Sequence, residues 1–110
     1  MATAPGLAAH VQELRRGTVV LATLASLEQP RYGYALLEHL RGHGIEVEGN
    51  TLYPLLRRLE RQGLTVSEWN TEESRPRKFY RLTREGQAVL RALHREWHSL
   101  NAAIRTLSRG

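Results

Sequence analysis

A chain of 110 residues has room for one core and none for a separate catalytic module. Its 41% apolar and 25% charged residues are those of an ordinary folded chain, and the absence of cysteine excludes disulfide scaffolds, thiolate zinc sites and thiol nucleophiles. All eleven acids are Glu and, apart from Lys78, all sixteen Lys and Arg residues are Arg. Lack of Asp removes aspartate triads and most magnesium-dependent phosphoryl chemistry, while a net charge of +5 favours a polyanionic partner.

In chain order, Leu7, Val11, Leu14, Thr18, Leu21 and Ala25 follow the spacing of one helical face, with Arg15-Arg16-Gly17 as a potential interruption. The expectation is an N-terminal arm or helix over 1–15, then a helix from about Arg16 to Leu27. Its apolar core, 18–27, is too short to span a bilayer, and the N-terminal residues lack the positive charge of a secretory signal. A cytoplasmic protein with no membrane partner is expected. Pro30 ends this helix, because the residue before proline resists helical angles. A second helix runs from about Tyr32 to Arg41 on Leu36, Leu37 and Leu40, and Gly42-His43-Gly44 stops it. Ile45 and Val47 alternate with Glu46 and Glu48, as in a short extended segment.

The third helix has the clearest pattern. Asn50 or Thr51 is a plausible N-cap, with Pro54 in the first turn and Gly63 at the C-terminal stop. Leu52, Leu55, Leu56 and Leu59 form the dry stripe. At 100° per residue the opposite face carries Asn50, Pro54, Arg57 and Arg61, flanked by Tyr53 and Arg58. After Gly63 the period falls to two: Leu64, Val66 and Glu68 alternate with Thr65, Ser67 and Trp69. A polar stretch, Asn70 to Pro76, precedes a β-forming run from Arg77 to Leu82, so a hairpin with a long tip is predicted. Thr83 caps the last helix, about Arg84 to Leu107, and Glu85 suits its first turn. Leu90, Leu93, Trp97, Leu100, Ile104 and Leu107 are spaced 3, 4, 3, 4, 3, an a/d seam. A helix of that length, about 36 Å, exceeds what three short helices can cover, so part of the seam is expected to meet another chain.

Helix, helix, helix, hairpin is the layout of a winged helix-turn-helix, mainly α with a small β-hairpin: residues 1–83 form the DNA-binding domain and 84–110 the dimerisation helix. The third helix enters the DNA major groove, and the hairpin tip reaches the neighbouring backbone or minor groove. Asn50, Thr51, Tyr53, Pro54, Arg57, Arg58 and Arg61 on the helix, with Arg75, Arg77 and Lys78 on the hairpin, are the candidate contacts. Arg57 and Arg61 fit base edges or phosphates equally. Tyr53 fits a phosphate contact or packing against the hairpin. Alternation puts Arg77 and Lys78 on opposite faces, with Tyr80 and Leu82 on the face of Lys78, where Tyr80 is expected to pack. Tyr32 and Tyr34 are expected to anchor the second helix, with Gly33 allowing close approach; a phosphate contact from either is the alternative.

Three blocks also resemble a known family: Tyr32-Gly33-Tyr34, the run Thr51-Leu52-Tyr53-Pro54-Leu55-Leu56-Arg57-Arg58-Leu59-Glu60-Arg61-Gln62-Gly63-Leu64, and Arg77-Lys78-Phe79-Tyr80-Arg81-Leu82-Thr83-Arg84-Glu85-Gly86. In order and spacing they are similar to the PadR family of bacterial transcription regulators, and Arg15-Arg16-Gly17-Thr18 also fits. The resemblance covers nearly the whole chain from about Leu14. It implies a homodimeric repressor on a pseudo-palindromic operator, with a single C-terminal dimerisation helix as in the smaller, multidrug-sensing subfamily. Trp97 matches the tryptophan that in some members stacks a flat aromatic ligand across the dimer, which makes Leu93, Trp97 and Leu100 candidate effector contacts. One departure is the hairpin tip, Glu72-Glu73-Ser74-Arg75-Pro76, acidic and proline-bearing where a glycine-rich basic tip is common.

The other readings are a winged-helix protein-interaction module and an aromatic-ligand-binding dimer without operator function. His94 and His98 share one helix face, but no Cys or Asp stands by to complete a metal site, so no metal is expected. No Gly-x-Ser-x-Gly, phosphate loop or acid pair on one face accompanies Ser, His and Glu, so neither a cofactor nor enzymatic activity is expected.

Overall fold

A computed structural model of the chain describes residues 4–72 and 74–110. Met1, Ala2 and Thr3 of the signal reading and Glu73 of the acidic tip lie outside the described residues. The element order is α1 (Leu7–Arg16), α2 (Thr18–Ser26), β1 (Arg31–Tyr32), α3 (Gly33–Gly42), α4 (Gly49–Arg61), β2 (Thr65–Asn70), β3 (Arg77–Leu82) and α5 (Arg84–Leu107). The arrangement is mainly helical with one small antiparallel sheet, ordered β1-β3-β2.

The interruption at Gly17 is real: α1 and α2 are separate helices, and α1 buries none of its residues. Leu14, expected on a continuous inner face, is exposed. The stripe through Thr18, Leu21 and Ala25 is likewise only half-buried, while Thr23, Leu24 and Leu27 enter the core. The physical reason is that α2 is apolar on every side, so its periodicity does not identify which face the rest of the fold covers.

Two further expectations are corrected. The segment 45–48 joins no strand; the third strand is Arg31–Tyr32, which pairs Arg31 with Tyr80 and Tyr32 with Phe79. Val47 is instead buried, and the Arg41 Nε donates to its carbonyl at 3.1 Å. The second correction concerns α4, which starts two or three residues earlier than the expected caps, Asn50 or Thr51, suggest. Its N-cap is Glu48 in extended geometry with no side-chain cap bond, and Gly49, Asn50 and Thr51 are already helical. Pro54 therefore lies in the second turn, inside the helix, where its missing N–H costs a ladder bond. Leu52, Leu55, Leu56 and Leu59 outweigh that loss, because all four side chains are buried.

The core gathers Leu24 and Leu27 of α2, Leu36, Leu37 and Leu40 of α3, the α4 leucines, Tyr80 and Leu82 of β3, and Leu90 of α5. Thr83 caps α5 as expected: its Oγ1 accepts from the Gly86 N–H at 3.0 Å and donates to the Gly63 carbonyl at 2.6 Å. Gly86 is required there, because a β-carbon at this position would run into the Leu64 carbonyl oxygen. That tight start fixes the direction in which α5 leaves the core.

Candidate nucleic-acid interface

The buried leucine stripe of α4 leaves its other face outward. Asn50, Thr51, Pro54, Arg57, Arg58 and Arg61 are all exposed on it. Arg58 and Arg61, with Asn50, Thr51 and Pro54, line one wall of an open groove of about 1900 Å³ whose other wall is α1. Leu7, Val11, Val19 and Val20 make that groove apolar within, and Arg15, Arg16 and Arg41 add cations to it. Arg57 and Tyr53 stand on the other side of the α4 ridge, toward the sheet. The Tyr53 ring packs over Gly33 and Gly49, so of the two readings of this phenol the packing one describes its ring.

Behind Tyr53 lies Tyr80, buried as expected. Burial, then the neighbouring Glu60 and Tyr53, hold its phenol above the ordinary pKa of 10.0, and Arg57 pulls the other way. Arg57 is near enough to Tyr80 for its charge to be felt there, while Arg58 and Arg61 line the groove beside α1. The cations of α4 straddle the ridge.

The hairpin divides its cations in the same manner. The register pairs Trp69 with Lys78, Ser67 with Tyr80 and Thr65 with Leu82 on the helix-facing side of the sheet, and Asn70 with Arg77 and Glu68 with Phe79 on the outer side. The Lys78 Nζ stands 5.7 Å from the Tyr80 ring centre, and the Arg77 guanidinium lies 4.3 Å over Tyr32. Arg75 is exposed between the strands. Trp69, 63% exposed beside Lys78, is a surface feature that the sequence reading left without a role. Its signal was available: alternation already put Trp69 in line with Thr65 and Ser67.

Along α5 the six seam residues separate into two groups. Leu90 is buried in this chain's own core and Leu93 packs half-buried against it. Trp97, Leu100, Ile104 and Leu107 are 44%, 59%, 58% and 77% exposed, an apolar row that the single chain leaves in solvent. Trp97 alone of the three proposed effector contacts lines a small groove of about 360 Å³ between α2 and α5, with Leu21, Ala22, Ala25 and Ile45. His94 and His98 flank it, their ring centres 6.1 Å apart. Among the described residues no group of three or more His or Glu side chains converges to hold a metal ion, and no helix is long and apolar enough to cross a membrane.

Comparison with known proteins agrees with this geometry. Residues 20–92 match the model of the transcriptional regulator PadR-like family. The chain is 40% identical over 81 residues to the "Transcriptional regulator Rv3488" of Mycobacterium tuberculosis, covering 73% of this chain and 76% of the relative. A PadR family transcriptional regulator from Eggerthella lenta has a similar structure, with a TM-score of 0.87, 52% identity, and coverage of 92% of this chain and 90% of that one. A PadR-like regulator from Bacillus cereus follows at a TM-score of 0.80 and 26% identity, covering 89% and 98%. The fold is a winged helix with a long C-terminal helix, and the chain belongs to the PadR-like family of transcriptional regulators.

Proposed function

We propose that the protein is a homodimeric repressor that reads a pseudo-palindromic DNA operator and is released from it by a small aromatic or hydrophobic effector. The observation that carries the DNA reading is the outer face of α4. It is uncovered by the rest of the chain, polar and cationic along its length, and flanked by a hairpin that adds Arg75, Arg77 and Lys78. In this reading α4 of each protomer enters one of two successive major grooves about 34 Å apart. Lys and Arg supply affinity by releasing counterions from the phosphates.

Two unpartnered apolar surfaces support the dimer. One is the α5 row from Trp97 to Leu107; the other is the α1 stripe of Leu7, Val11 and Leu14, likewise exposed. Rows of this size are rarely left in water. Burial of the α5 row against a second copy sets the distance between the two α4 helices. A flat apolar molecule beside Trp97, near Leu93 and Leu100, changes that distance only to the extent that it binds the two spacings unequally. Residues 1–83 then act as the DNA-binding part and 84–110 as the dimerisation part.

The test is a fluorescence-anisotropy titration against the DNA upstream of the protein's own gene, with scrambled competitor, at 50 and 200 mM salt. Binding that survives competitor and weakens about a thousandfold between those salts supports an operator reader contacting six or more phosphates. Equal, weak binding to both DNAs after genome-wide selection has also been run overturns it. The effector half fails if a Trp97→Ala dimer keeps both DNA binding and full effector response.

A further inference from the structure

The hairpin's cations are useful only if the hairpin is held in one place, and the strands themselves do little to ensure it. β1 contributes two residues, and beyond its pairing with β3 the hairpin stem projects past the core. One side chain ties both strands of that stem to the helical body. Tyr32 is the last residue of β1 and the N-cap of α3. Its phenol oxygen accepts a hydrogen bond from Asn70 Nδ2 at 2.7 Å, and Asn70 is the last residue of β2. Its ring lies under the guanidinium of Arg77, the first residue of β3, at 4.3 Å, and meets Phe79 edge-on at 6.2 Å between centres.

The Asn70 amide has its orientation set independently. Its Oδ1 accepts from the Glu72 N–H at 3.1 Å, two residues into the turn, so the NH₂ end is the one left to face Tyr32. A single chain of contacts therefore runs from the start of α3 through Tyr32 and Asn70 to the backbone of the loop. The paired strand ends Asn70 and Arg77 are both fastened to one ring. A cation over an aromatic face adds attraction without needing burial.

We propose that Tyr32 is the positioning residue of the DNA-contacting hairpin, holding Asn70 through its hydroxyl and Arg77 on its ring so that Arg75 and Lys78 meet the phosphodiester backbone at a fixed distance from α4. This rests on the DNA reading above. Tyr32 acts through the hairpin cations and not by touching DNA itself.

The experiment uses the full chain and a duplex recovered by in vitro selection. Tyr32→Phe keeps the ring, the Phe79 contact and the cation over it, and removes only the acceptor for Asn70. Its operator affinity is expected to fall roughly two- to tenfold, the effect of one hydrogen bond. Hydrogen exchange at the Glu72 amide should accelerate by a similar factor while the α4 amides stay protected. Asn70→Ala should reproduce the affinity loss, and the double variant should add nothing to it; the Glu72 amide is read only in Tyr32→Phe, because Asn70 Oδ1 is itself the acceptor of that N–H.

The decisive arm places Tyr32→Phe in an Arg75→Ala/Arg77→Ala/Lys78→Ala background, where it should cost no further affinity. An equal loss there means that Tyr32 works by direct contact or by general destabilisation, and overturns the proposal. Unchanged Glu72 exchange in Tyr32→Phe, with operator binding intact, overturns the clamp and leaves the DNA reading standing. Wild-type affinity in the Arg75→Ala/Arg77→Ala/Lys78→Ala protein removes the hairpin from DNA contact, and with it the role proposed for Tyr32. Failure of the chain to bind any selected duplex overturns the DNA reading, while Glu72 exchange still reports whether the clamp exists.

Discussion

The Gly33 α-carbon lies so close under the Tyr53 ring that a β-carbon at position 33 would stand 2.9 Å from Tyr53 Cε1, with Tyr80 Cε2 at 3.6 Å behind it. The first residue of α3 and the first turns of α4 thus meet through one aromatic ring. Gly33→Ala must push Tyr53 toward the DNA-facing surface or separate the two helices. Overpacking of this kind costs about 1–3 kcal/mol. We expect a lower Tm together with weaker operator binding, and Tyr53→Leu in the same chain should recover part of the stability. Thermal melts of the two variants check this; a Gly33→Ala protein as stable as wild type would mean that the ring moves freely.

Arg57 and Arg61 stand on the exposed ridge of α4 and separate two roles by their salt response. Loss of a phosphate contact should weaken all duplexes alike and lower the logarithmic salt slope by about 1. Loss of a bidentate base contact should cost about 1–3 kcal/mol at one operator position and relax specificity there. Arg57→Ala and Arg61→Ala titrated against single-base operator variants should give one or other signature each. Wild-type affinity in both, with the fold intact by circular dichroism, would remove Arg57 and Arg61 from the interface.

Leu100 and Ile104 are more than half exposed on α5 and adjoin no part of the chain's own core. If they close a dimer, each buried side chain contributes about 1.5–3 kcal/mol. A Leu100→Glu/Ile104→Glu protein should then self-associate at least about a hundredfold more weakly, while its Tm at dilution is nearly unchanged. Sedimentation velocity reads this directly. A wild-type chain that sediments as a monomer at micromolar concentration contradicts the dimer.

The Tyr80 phenol titrates above its ordinary value of 10.0, first through burial and then through Glu60 and Tyr53. The folded state therefore favours the protonated phenol. Its contribution is fully present below pH 10 and is lost as pH rises through the higher folded value. Melting curves on the alkaline side should fall more steeply for wild type than for Tyr80→Phe, which has no proton to lose there. Parallel curves would show that Tyr80 opens to solvent before it ionises.

Much of this was legible in the residues because period and punctuation agreed. Thr83 with Glu85 in the first turn marked the start of α5, and its a/d row reached Leu107 as the helix does. The leucine stripe of α4 predicted which side would be buried, and thereby which cations would face outward. The N-terminus of α4 was misplaced because Asn50 and Thr51 are good caps by type, whereas the helix is set by burial of Leu52 and the packing of Tyr53 against Gly49. β1 was invisible, since two residues carry no alternation; β3 recruits them across space.

The sequence by itself determined the helices and the hairpin, the polarity of the α4 faces, the family and the cationic character of the surface opposite the α4 leucines. Those properties are local: a 3.6-residue period, a capping Thr and a stripe of leucines act within a few residues of chain. Only the tertiary structure decided which face of the all-apolar α2 enters the core, that Leu90 is used internally while Trp97 to Leu107 remain uncovered, and that Tyr32 reaches Asn70 across 38 positions. These depend on which surfaces meet when the core closes. Where every face of a helix is apolar, or where a contact joins distant segments, pattern alone does not distinguish the alternatives and packing does.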